Sequence, residues 1–491
     1  MDFLSLAILV CYTIASILLL CYGLNTYLII HLYLRKRRSC EQSDAARESE
    51  FASRFEDEAE LPVVTTQIPL FNEFNVAERV IRAVAAIEYP KGLHEIQVLD
   101  DSNDETCGLV DRVAEDLRGQ GHRVSVFRRE DRVGYKAGAL QAGMAVCEGE
   151  FVAIFDSDFI PPTDFLKRTL PHLWVDDNCA LVQARWDHIN QKQSWLTRAQ
   201  AMGIDGHFIV EQVARSRNGL FMNFCGTAGV WRRAAIEDAG NWEHDTVTED
   251  LDLSYRAQLK GWRFHYLPEL LVPAELPTSY SAFKSQQYRW AKGSIQTARK
   301  MLPRVWIAGI PLFKKLQATV HLTHYALHLQ MAILALLVLP LMLSFREGIA
   351  LYRSVIFIAL LVPAALGPSL GYVVCQYYGH PEDWWKRVLR LPFLLVIGFG
   401  ICLSNAKAVI EGFFGNDSTF IRTPKSGDSI VKNYKVKRNW LPRFEVVFSL
   451  YCAVTIGFLI YIGQYALIPF ILIYALGFGV VGYSSMRELR V

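Results

Sequence analysis

The chain has 491 residues, of which 52% are hydrophobic and 20% are charged, and its formal net charge is +2. This length exceeds that of one average domain, and so apolar a composition excludes a disordered protein. The 51 basic and 49 acidic residues nearly cancel, so the chain lacks the basic excess of a nucleic-acid-binding protein and we expect no nucleic-acid partner. Its ten cysteines form no C-x-x-C pair, which disfavours both a zinc module and a disulfide framework.

Several long runs without acidic or basic residues predict membrane-spanning helices. A span needs about 20 apolar residues. The runs are 3–34, 316–345, 354–381 and 446–486, and the last is long enough for two spans. A fifth run, 391–406, is shorter, and we expect it to lie in the membrane interface as part of a helix over 388–414.

A basic cluster at 35–38 follows the first run, which predicts an uncleaved anchor rather than a signal peptide. By the positive-inside rule the cluster is cytosolic, so the large polar middle of the chain is predicted to be cytosolic too. We therefore predict a multi-pass protein of a bacterial inner membrane or of a eukaryotic Golgi or plasma membrane. Its predicted parts are an anchor (1–38), a linker (39–60), an α/β domain (61–275), interface helices (276–315) and a membrane block with four spans (316–491).

Short β-rich runs alternate with helical patterns between residues 61 and 275. The predicted strands are 63–67, 96–100, 124–128, 152–155 and 180–184, and the predicted helices are 77–87, 109–117 and 137–147. This alternation predicts a doubly wound, Rossmann-like parallel sheet. Ligands bind beyond the carboxyl ends of the strands in such sheets. The acidic residues Glu73, Asp100, Asp101, Asp156 and Asp158 all fall there.

Two acidic pairs follow predicted strands. Asp156 and Asp158 lie two residues apart, so both can reach one hard divalent cation, Mg²⁺ or Mn²⁺, that also binds phosphate oxygens. Taken alone, this motif fits a solvated loop equally well. Asp100 and Asp101 can hydrogen-bond a nucleotide base or ribose, although taken alone they fit an Asx turn better.

A glycine-containing segment at 134–140 opens a predicted helix and carries Lys136 near its start. Backbone N–H groups and a lysine at a helix N-terminus suit a diphosphate, and glycine permits close backbone approach. The spacing matches neither a P-loop nor G-x-G-x-x-G, so an ordinary turn into a helix is the alternative.

The sequence Thr248-Glu249-Asp250 begins another helical pattern, with Thr248 as the predicted N-cap. A carboxylate at the start of this helix can act as a general base on a sugar hydroxyl. For Glu249 or Asp252 taken singly, stabilisation of the helix dipole is the preferred alternative.

Gln286, Arg289 and Trp290 share one face of a predicted helix, because they are spaced at i, i+3 and i+4. Their amide, cation and aromatic ring suit sugar hydroxyls, a leaving diphosphate and a sugar ring. The alternative is a tryptophan and arginine pair that anchors a helix at the membrane interface.

These motifs occur in the order D-D, D-x-D, T-E-D and Q-x-x-R-W. In that order they resemble the membrane-integrated family 2 glycosyltransferases of the cellulose-synthase-like superfamily. The surrounding sequences QIPLFNE (67–73), QVLDDS (97–102), LVQARW (181–186) and GTAGVW (226–231) look most like its A and C branches, which are associated with mannan or glucomannan and with glucan synthesis. Residues 420–425 (FIRTPK) are similar to the F-x-V-T-x-K gating loop of cellulose synthases, with Arg422 in place of the valine.

The resemblance implies a GT-A-type domain that binds a nucleotide-sugar. Asp101, with Asp100 and Glu73, would contact the nucleoside. Lys136 and Asp156 would lie near the diphosphate.

The resemblance also implies a metal site and a catalytic base. Asp156 and Asp158 would hold Mg²⁺ or Mn²⁺, and Asp250 would deprotonate the acceptor hydroxyl. The acceptor and the diphosphate would be bound by Glu249, Gln286, Arg289 and Trp290. A gating loop over 415–430 would cover the donor with Phe420, Thr423 and Lys425.

The predicted activity is that of an inverting, processive β-glycan synthase that uses UDP-glucose or GDP-mannose and extrudes its polymer. Transfer of a single sugar to a membrane lipid is the first alternative, and an inactive membrane scaffold is a remote one. The donor sugar, the linkage and the oligomeric state are open at this point.

Overall fold

The computed structural model describes residues 3–56, 58–344, 350–415 and 440–488. Its first element is one long helix, α1 (Phe3–Glu50), whose Phe3–Arg38 part is apolar and long enough to cross a membrane. The linker predicted at 39–60 is therefore corrected, since α1 continues through the first half of that segment.

The end of α1 docks onto the α/β domain through charged side chains. Asp44 pairs with Arg217 and lies 3.1 Å from Nε2 of His265, and Glu48 accepts a 3.1 Å hydrogen bond from Arg168. Asp44 and Glu48 are four residues apart and so share one helix face. The segment resembles a linker in sequence because this docking face is charged rather than apolar.

One seven-stranded sheet organises the α/β domain. The strands are β1 (Val64–Leu70), β2 (His94–Asp100), β3 (Arg123–Phe127), β4 (Phe151–Ile154), β5 (Cys179–His188), β6 (Gly229–Arg232) and β7 (Arg263–Ala274). Their order is β3-β2-β1-β4-β6-β5-β7, and β6 is antiparallel to both of its neighbours. The five predicted strands are confirmed. The all-parallel sheet is wrong, because the short strand β6 was missed and runs against the others.

Helices cover both faces of this sheet. They are α2 (Ala77–Ala85), α3 (Thr106–Gly119), α4 (Tyr135–Ala145), α5 (Phe165–Trp174), α6 (Trp195–Asp205), α7 (Gln212–Arg217), α8 (Arg233–Asp238) and α9 (Glu249–Leu259), with a π-helical turn at Gly206–Glu211. Every residue of β2 and β4 is buried, as expected of central strands covered on both faces. Buried Glu95 and Gln97 of β2 are hydrogen-bonded to Thr65 (2.5 Å) and Gln67 (3.0 Å) of β1.

The remaining helices form the apolar block. They are α10 (Tyr280–Ile307), α11 (Leu312–Thr323), α12 (Leu327–Ser344), α13 (Ala350–Gly379), α14 (Trp384–Val388), α15 (Leu391–Gly400), α16 (Cys402–Phe414), α17 (Leu441–Tyr461) and α18 (Ile468–Glu488). Among the described residues, five segments are long and apolar enough to cross a membrane: Phe3–Arg38, Leu312–Ser344, Ala359–Gly379, Leu441–Tyr461 and Tyr465–Glu488. Five is also the number of spans predicted from the apolar runs.

The segment predicted as one interface helix over 388–414 consists of α15 and α16. The two helices meet at Ile401 and are bent by 45°. The placement of this pair at the membrane interface stays a prediction. Beyond Gly415, the predicted gating loop with Phe420, Thr423 and Lys425 lies outside the described residues.

A buried ion pair joins α10 to α17. Nζ of Lys284 lies 2.6 and 2.7 Å from the two carboxylate oxygens of Glu445, and both side chains are buried. We expect Lys284→Met to destabilise the protein by about 3–5 kcal/mol, because it leaves the Glu445 carboxylate buried without its partner. The measurement is the midpoint of thermal unfolding in detergent.

The matched control is the double substitution Lys284→Met with Glu445→Leu. It removes both charges, so it should recover most of the lost stability. Equal midpoints for the wild type and Lys284→Met would contradict a stabilising role for this pair.

Candidate active site

A cavity of about 190 Å³ opens where the strands of the α/β domain end. Its wall combines residues from the ends of β1, β4 and β5, the start of α9 and one face of α10. The predicted residues that line it are Glu73, Asp101, Lys136, Asp156, Asp158, Glu249, Asp250, Gln286, Arg289 and Trp290. Four motifs that are far apart in the sequence therefore meet at one site.

One end of the cavity is built around Asp101. Arg129 donates two hydrogen bonds to its carboxylate, at 3.0 and 2.5 Å. The guanidinium of Arg132 lies 3.2 Å from the ring centroid of Phe71, and both residues line the same cavity as Asp101. Sequence reasoning missed Arg129 and Arg132, although the three arginines within 128–132 were a visible signal.

Asp100 is not brought to the cavity with Asp101. It is buried, it accepts a 2.9 Å hydrogen bond from Arg128, and it accepts the Ser102 N–H at 3.1 Å. The latter bond closes an Asx turn. The nucleoside contact of Asp100 stays a prediction, and in this structure its carboxylate holds the turn that presents Asp101.

Lys136 and Asp156 form an ion pair in the cavity wall. Lys136 extends from the first turn of α4, and its Nζ lies 2.5 Å from Oδ1 of Asp156 and 2.9 Å from the Gly226 carbonyl oxygen. Burial alone lowers the pKa of Lys136, but the Asp156 and Glu249 carboxylates raise it above its ordinary value. The lysine therefore carries a full positive charge at this point.

Two aspartates of the cavity wall are candidate ligands for a divalent cation. Carboxylate oxygens are the ligands that Mg²⁺ and Mn²⁺ prefer, and Asp156 and Asp158 both line the wall. Four carboxylates meet only two cationic groups in this part of the described wall. The carboxylates are those of Asp156, Asp158, Glu249 and Asp250, and the cations are Lys136 and Arg289. This excess of acidic over basic side chains favours the binding of a cation.

Asp250 lies at the start of α9 and faces Gly226. A Cβ at residue 226 would lie 3.0 Å from Oδ2 of Asp250 and 3.4 Å from Nζ of Lys136, and the glycine has φ +80°. Only glycine therefore permits this approach without strain. Burial and the neighbouring Glu249 carboxylate raise the pKa of Asp250 to about 7.

Two other residues of this segment have structural roles. Thr248 is the N-cap residue of α9, as predicted, but its side chain makes no cap hydrogen bond to described residues and instead lies 3.1 Å from the Thr297 hydroxyl. Asp252 is fully buried against Arg256 (2.7 Å) and Lys300 (3.0 Å). Both contacts hold α9 in place beneath the cavity.

The helix α10 presents Gln286, Arg289 and Trp290 to the cavity from one face, as predicted. Its N-terminus is fixed by the carboxylate of Glu488, which accepts hydrogen bonds from two backbone N–H groups at 2.7 and 2.9 Å. Such charge-assisted bonds at a helix start are favourable. Glu488 belongs to α18, so the apolar block helps to set the position of the α10 face that lines the cavity.

Comparison with known proteins assigns the site to a family. Residues 62–293 match the family model described as glycosyltransferase like family 2. The chain is 32% identical to glucomannan 4-beta-mannosyltransferase 7 of Arabidopsis thaliana over 449 residues, which are 88% of this chain and 78% of that relative. The chain belongs to the membrane-integrated family 2 glycosyltransferases of the cellulose-synthase-like superfamily. It is a hexosyltransferase, as the motifs predicted.

Two further similarities extend this finding. Glucomannan 4-beta-mannosyltransferase 2 of Arabidopsis thaliana is 41% identical over 309 residues, which are 62% of this chain and 57% of that relative. The solved structure of mannosyltransferase PcManGT from Pyrobaculum calidifontis, in complex with GDP-Man and Mn²⁺, matches with a TM-score of 0.50 at 18% identity. The match covers 79% of this chain and 100% of that one. The predicted GT-A-type fold is confirmed.

Proposed function

We propose that this glycosyltransferase moves mannose from GDP-mannose to the end of a β-linked mannan. The meeting of Asp101, Asp158, Asp250 and Trp290 at one cavity carries the proposal. GDP-mannose is favoured over UDP-glucose because the similar plant proteins are named as mannosyltransferases and the similar solved structure contains GDP-Man. Those names also favour a 1,4-linkage.

The proposed reaction is one displacement at the anomeric carbon. Asp250 accepts the proton of the acceptor hydroxyl, whose oxygen forms a bond to the anomeric carbon while the bond to the diphosphate oxygen breaks. GDP leaves with the bonding electron pair, and an α-linked donor gives a β-linked product. Lys136 and Arg289 stabilise the negative charge that develops on the departing diphosphate.

Asp156 and Asp158 would hold the divalent cation. A bound Mg²⁺ or Mn²⁺ supplies further charge stabilisation to the leaving diphosphate. Gln286 would hydrogen-bond sugar hydroxyls, and Trp290 would stack against the ring of the acceptor.

Processive synthesis with export of the polymer is the form of the reaction that the architecture supports best. Five candidate membrane spans accompany the catalytic domain, and α10 ties the acceptor end of the cavity to them. We propose that the catalytic domain faces the cytosol, where nucleotide-sugars are made, and that the product crosses the bilayer.

The test is incubation of the purified protein with radiolabelled GDP-mannose or UDP-glucose and Mg²⁺ or Mn²⁺. We expect a high-molecular-weight product from GDP-mannose that an endo-β-1,4-mannanase degrades. If UDP-glucose instead gives a polymer that a β-glucanase degrades, the product is a glucan rather than a mannan. Label found only in the organic phase would establish transfer to a lipid, and absence of transfer from either donor would contradict the proposed activity.

The rate of transfer should fall as the pH drops below about 7. Burial and Glu249 raise the pKa of Asp250 to about 7, so acid converts this base to its neutral form, which cannot accept a proton. The measurement is kcat between pH 5.5 and 8.5 at saturating donor, with binding of GDP at each pH as the control. A kcat that stays constant down to pH 5.5 would rule out Asp250 as a base with this pKa.

A further inference from the structure

The loop after β3 brings Arg132 to the part of the cavity that contains Asp101. Arg132, Phe71 and Asp101 all line the wall. Nε of Arg132 lies 3.9 Å from a carboxylate oxygen of Asp101, and its guanidinium carbon lies 3.2 Å from the ring centroid of Phe71. These distances place the three side chains together. They follow β3, β1 and β2, whereas the candidate metal ligands Asp156 and Asp158 follow β4.

Hydrogen bonds tie the loop that carries Phe71 to the loop after β2. Asn72 is the next residue along the chain, and its backbone N–H donates to the Ser102 hydroxyl at 2.8 Å. The Asn72 side-chain amide donates to the side-chain oxygen of Asn103 at 2.9 Å and accepts the Asn103 backbone N–H at 3.0 Å. The Phe71 ring therefore stands on a braced loop.

Arg129 fixes the loop that carries Arg132. Besides its two hydrogen bonds to Asp101, it donates to the carbonyl oxygens of Val133 at 2.8 Å and Tyr135 at 3.0 Å. One guanidinium thus joins the loop after β2 to the loop after β3. The position of Arg132 relative to Asp101 depends on this link.

Arg132 is the more accessible group of the pair that it forms with Asp101. Its side chain is 28% exposed, against 6% for Asp101, whose carboxylate already binds Arg129. A guanidinium is a planar fork that donates hydrogen bonds and accepts none. A nucleobase that meets this fork needs two neighbouring acceptor atoms. Guanine has them in O6 and N7, and arginine is their commonest partner, whereas the matching edge of uracil offers O4 beside a C–H group.

We propose that Arg132 reads the base of the donor by donating two hydrogen bonds to O6 and N7 of guanine, and that it thereby selects GDP-mannose over UDP-sugars. The inference rests on the proposed function and names the residue that sets its nucleotide specificity. The Phe71 ring supports the guanidinium from one face through a cation–π contact. Arg129 is the positioning residue.

The test is titration calorimetry of the purified full chain with Mn²⁺ and with GDP, UDP or 7-deaza-GDP, in which a C–H group replaces N7. We expect the wild type to bind GDP more tightly than the other two. Arg132→Met keeps an apolar stem against Phe71 but removes the donors. It should weaken GDP binding about tenfold, or about 1.4 kcal/mol, as expected for loss of a bidentate contact to guanine. It should leave UDP binding unchanged and bind GDP and 7-deaza-GDP equally.

Two further variants separate the fork from its charge and from the fold. Arg132→Lys keeps the charge but not the planar fork, so it should lose the preference for GDP over 7-deaza-GDP. Arg123→Met is the matched control. Arg123 begins β3, its side chain is 36% exposed and pairs with Glu148, and it is not part of the described cavity wall. Its replacement should leave the affinities for all three nucleotides unchanged.

Equal losses of GDP and UDP binding in Arg132→Met would overturn the inference, because they would assign Arg132 to the diphosphate that both nucleotides share. Unchanged GDP binding in this variant would also overturn it, as would equal binding of GDP and 7-deaza-GDP by the wild type. Failure of the proposed function is a separate result, namely transfer of glucose but not of mannose by the wild type in the radiolabel assay.

Discussion

Asp250→Asn should lower the rate of mannose transfer about 10³-fold, within the range that a general base contributes. The amide has the same size as the carboxylate, so it keeps the contacts at Gly226, but it cannot accept a proton from the acceptor hydroxyl. GDP-mannose binding should stay close to that of the wild type, because the substitution removes negative charge from an acidic site. Initial rates and donor affinity, measured on the same preparation, separate the two effects.

Asp245→Asn is the control for this experiment. Asp245 precedes the same helix and is exposed, and its carboxylate pairs with Lys300 at 2.8 Å outside the cavity. Its replacement should leave the transfer rate within about twofold, since an exposed ion pair contributes about 0–1 kcal/mol. A transfer rate above a tenth of the wild-type value in Asp250→Asn would mean that another group takes the proton.

Asp158→Asn should lower the transfer rate by about 10²-fold or more and remove the effect of Mn²⁺ on GDP binding. Loss of one carboxylate ligand weakens the cation that offsets charge on the leaving diphosphate, and a tenfold change corresponds to about 1.4 kcal/mol. GDP affinity with and without Mn²⁺, together with the transfer rate, measures both consequences.

The control substitution is in the segment that follows β4, which also contains Asp158. Asp164 occupies the N-cap position of α5, and its side chain makes no cap hydrogen bond to described residues. Asp164→Asn should therefore keep both the rate and the Mn²⁺ effect. Retention of the Mn²⁺ effect in Asp158→Asn would place the cation on other ligands.

The convergence of the motifs could be predicted from sequence because parallel strands end at the same edge of a sheet. Asp156 and Asp158 directly follow a short apolar run that is typical of a buried strand. Asp250 lies in the first turn of a helix whose N-cap, Thr248, is recognisable in the sequence. What each carboxylate touches could not be predicted in the same way. Asp100 and Asp101 are neighbours of the same type, yet Asp100 is buried against Arg128 whereas Asp101 lines the cavity and binds Arg129.

Contacts between distant parts of the chain explain the other differences. The strand β6 has four residues, so its antiparallel pairing leaves almost no periodic signal. His188 ends a strand that was predicted only to residue 184, and the Asp205 carboxylate lies between it and His380 beyond α13. Such a group forms only after folding has brought three elements together.

Because α1 is one continuous helix, the anchor has a fixed length and its two ends have a fixed rotation relative to each other about the helix axis. An α-helix rises 1.5 Å and turns about 100° with each residue. One residue added between the apolar part of α1 and Asp44 would therefore turn Asp44 and Glu48 away from Arg217 and Arg168. Only changes close to whole helical turns keep these partners in register. The anchor is thus a rigid spacer that sets the height and the rotation of the active site above the bilayer, rather than an interchangeable tether.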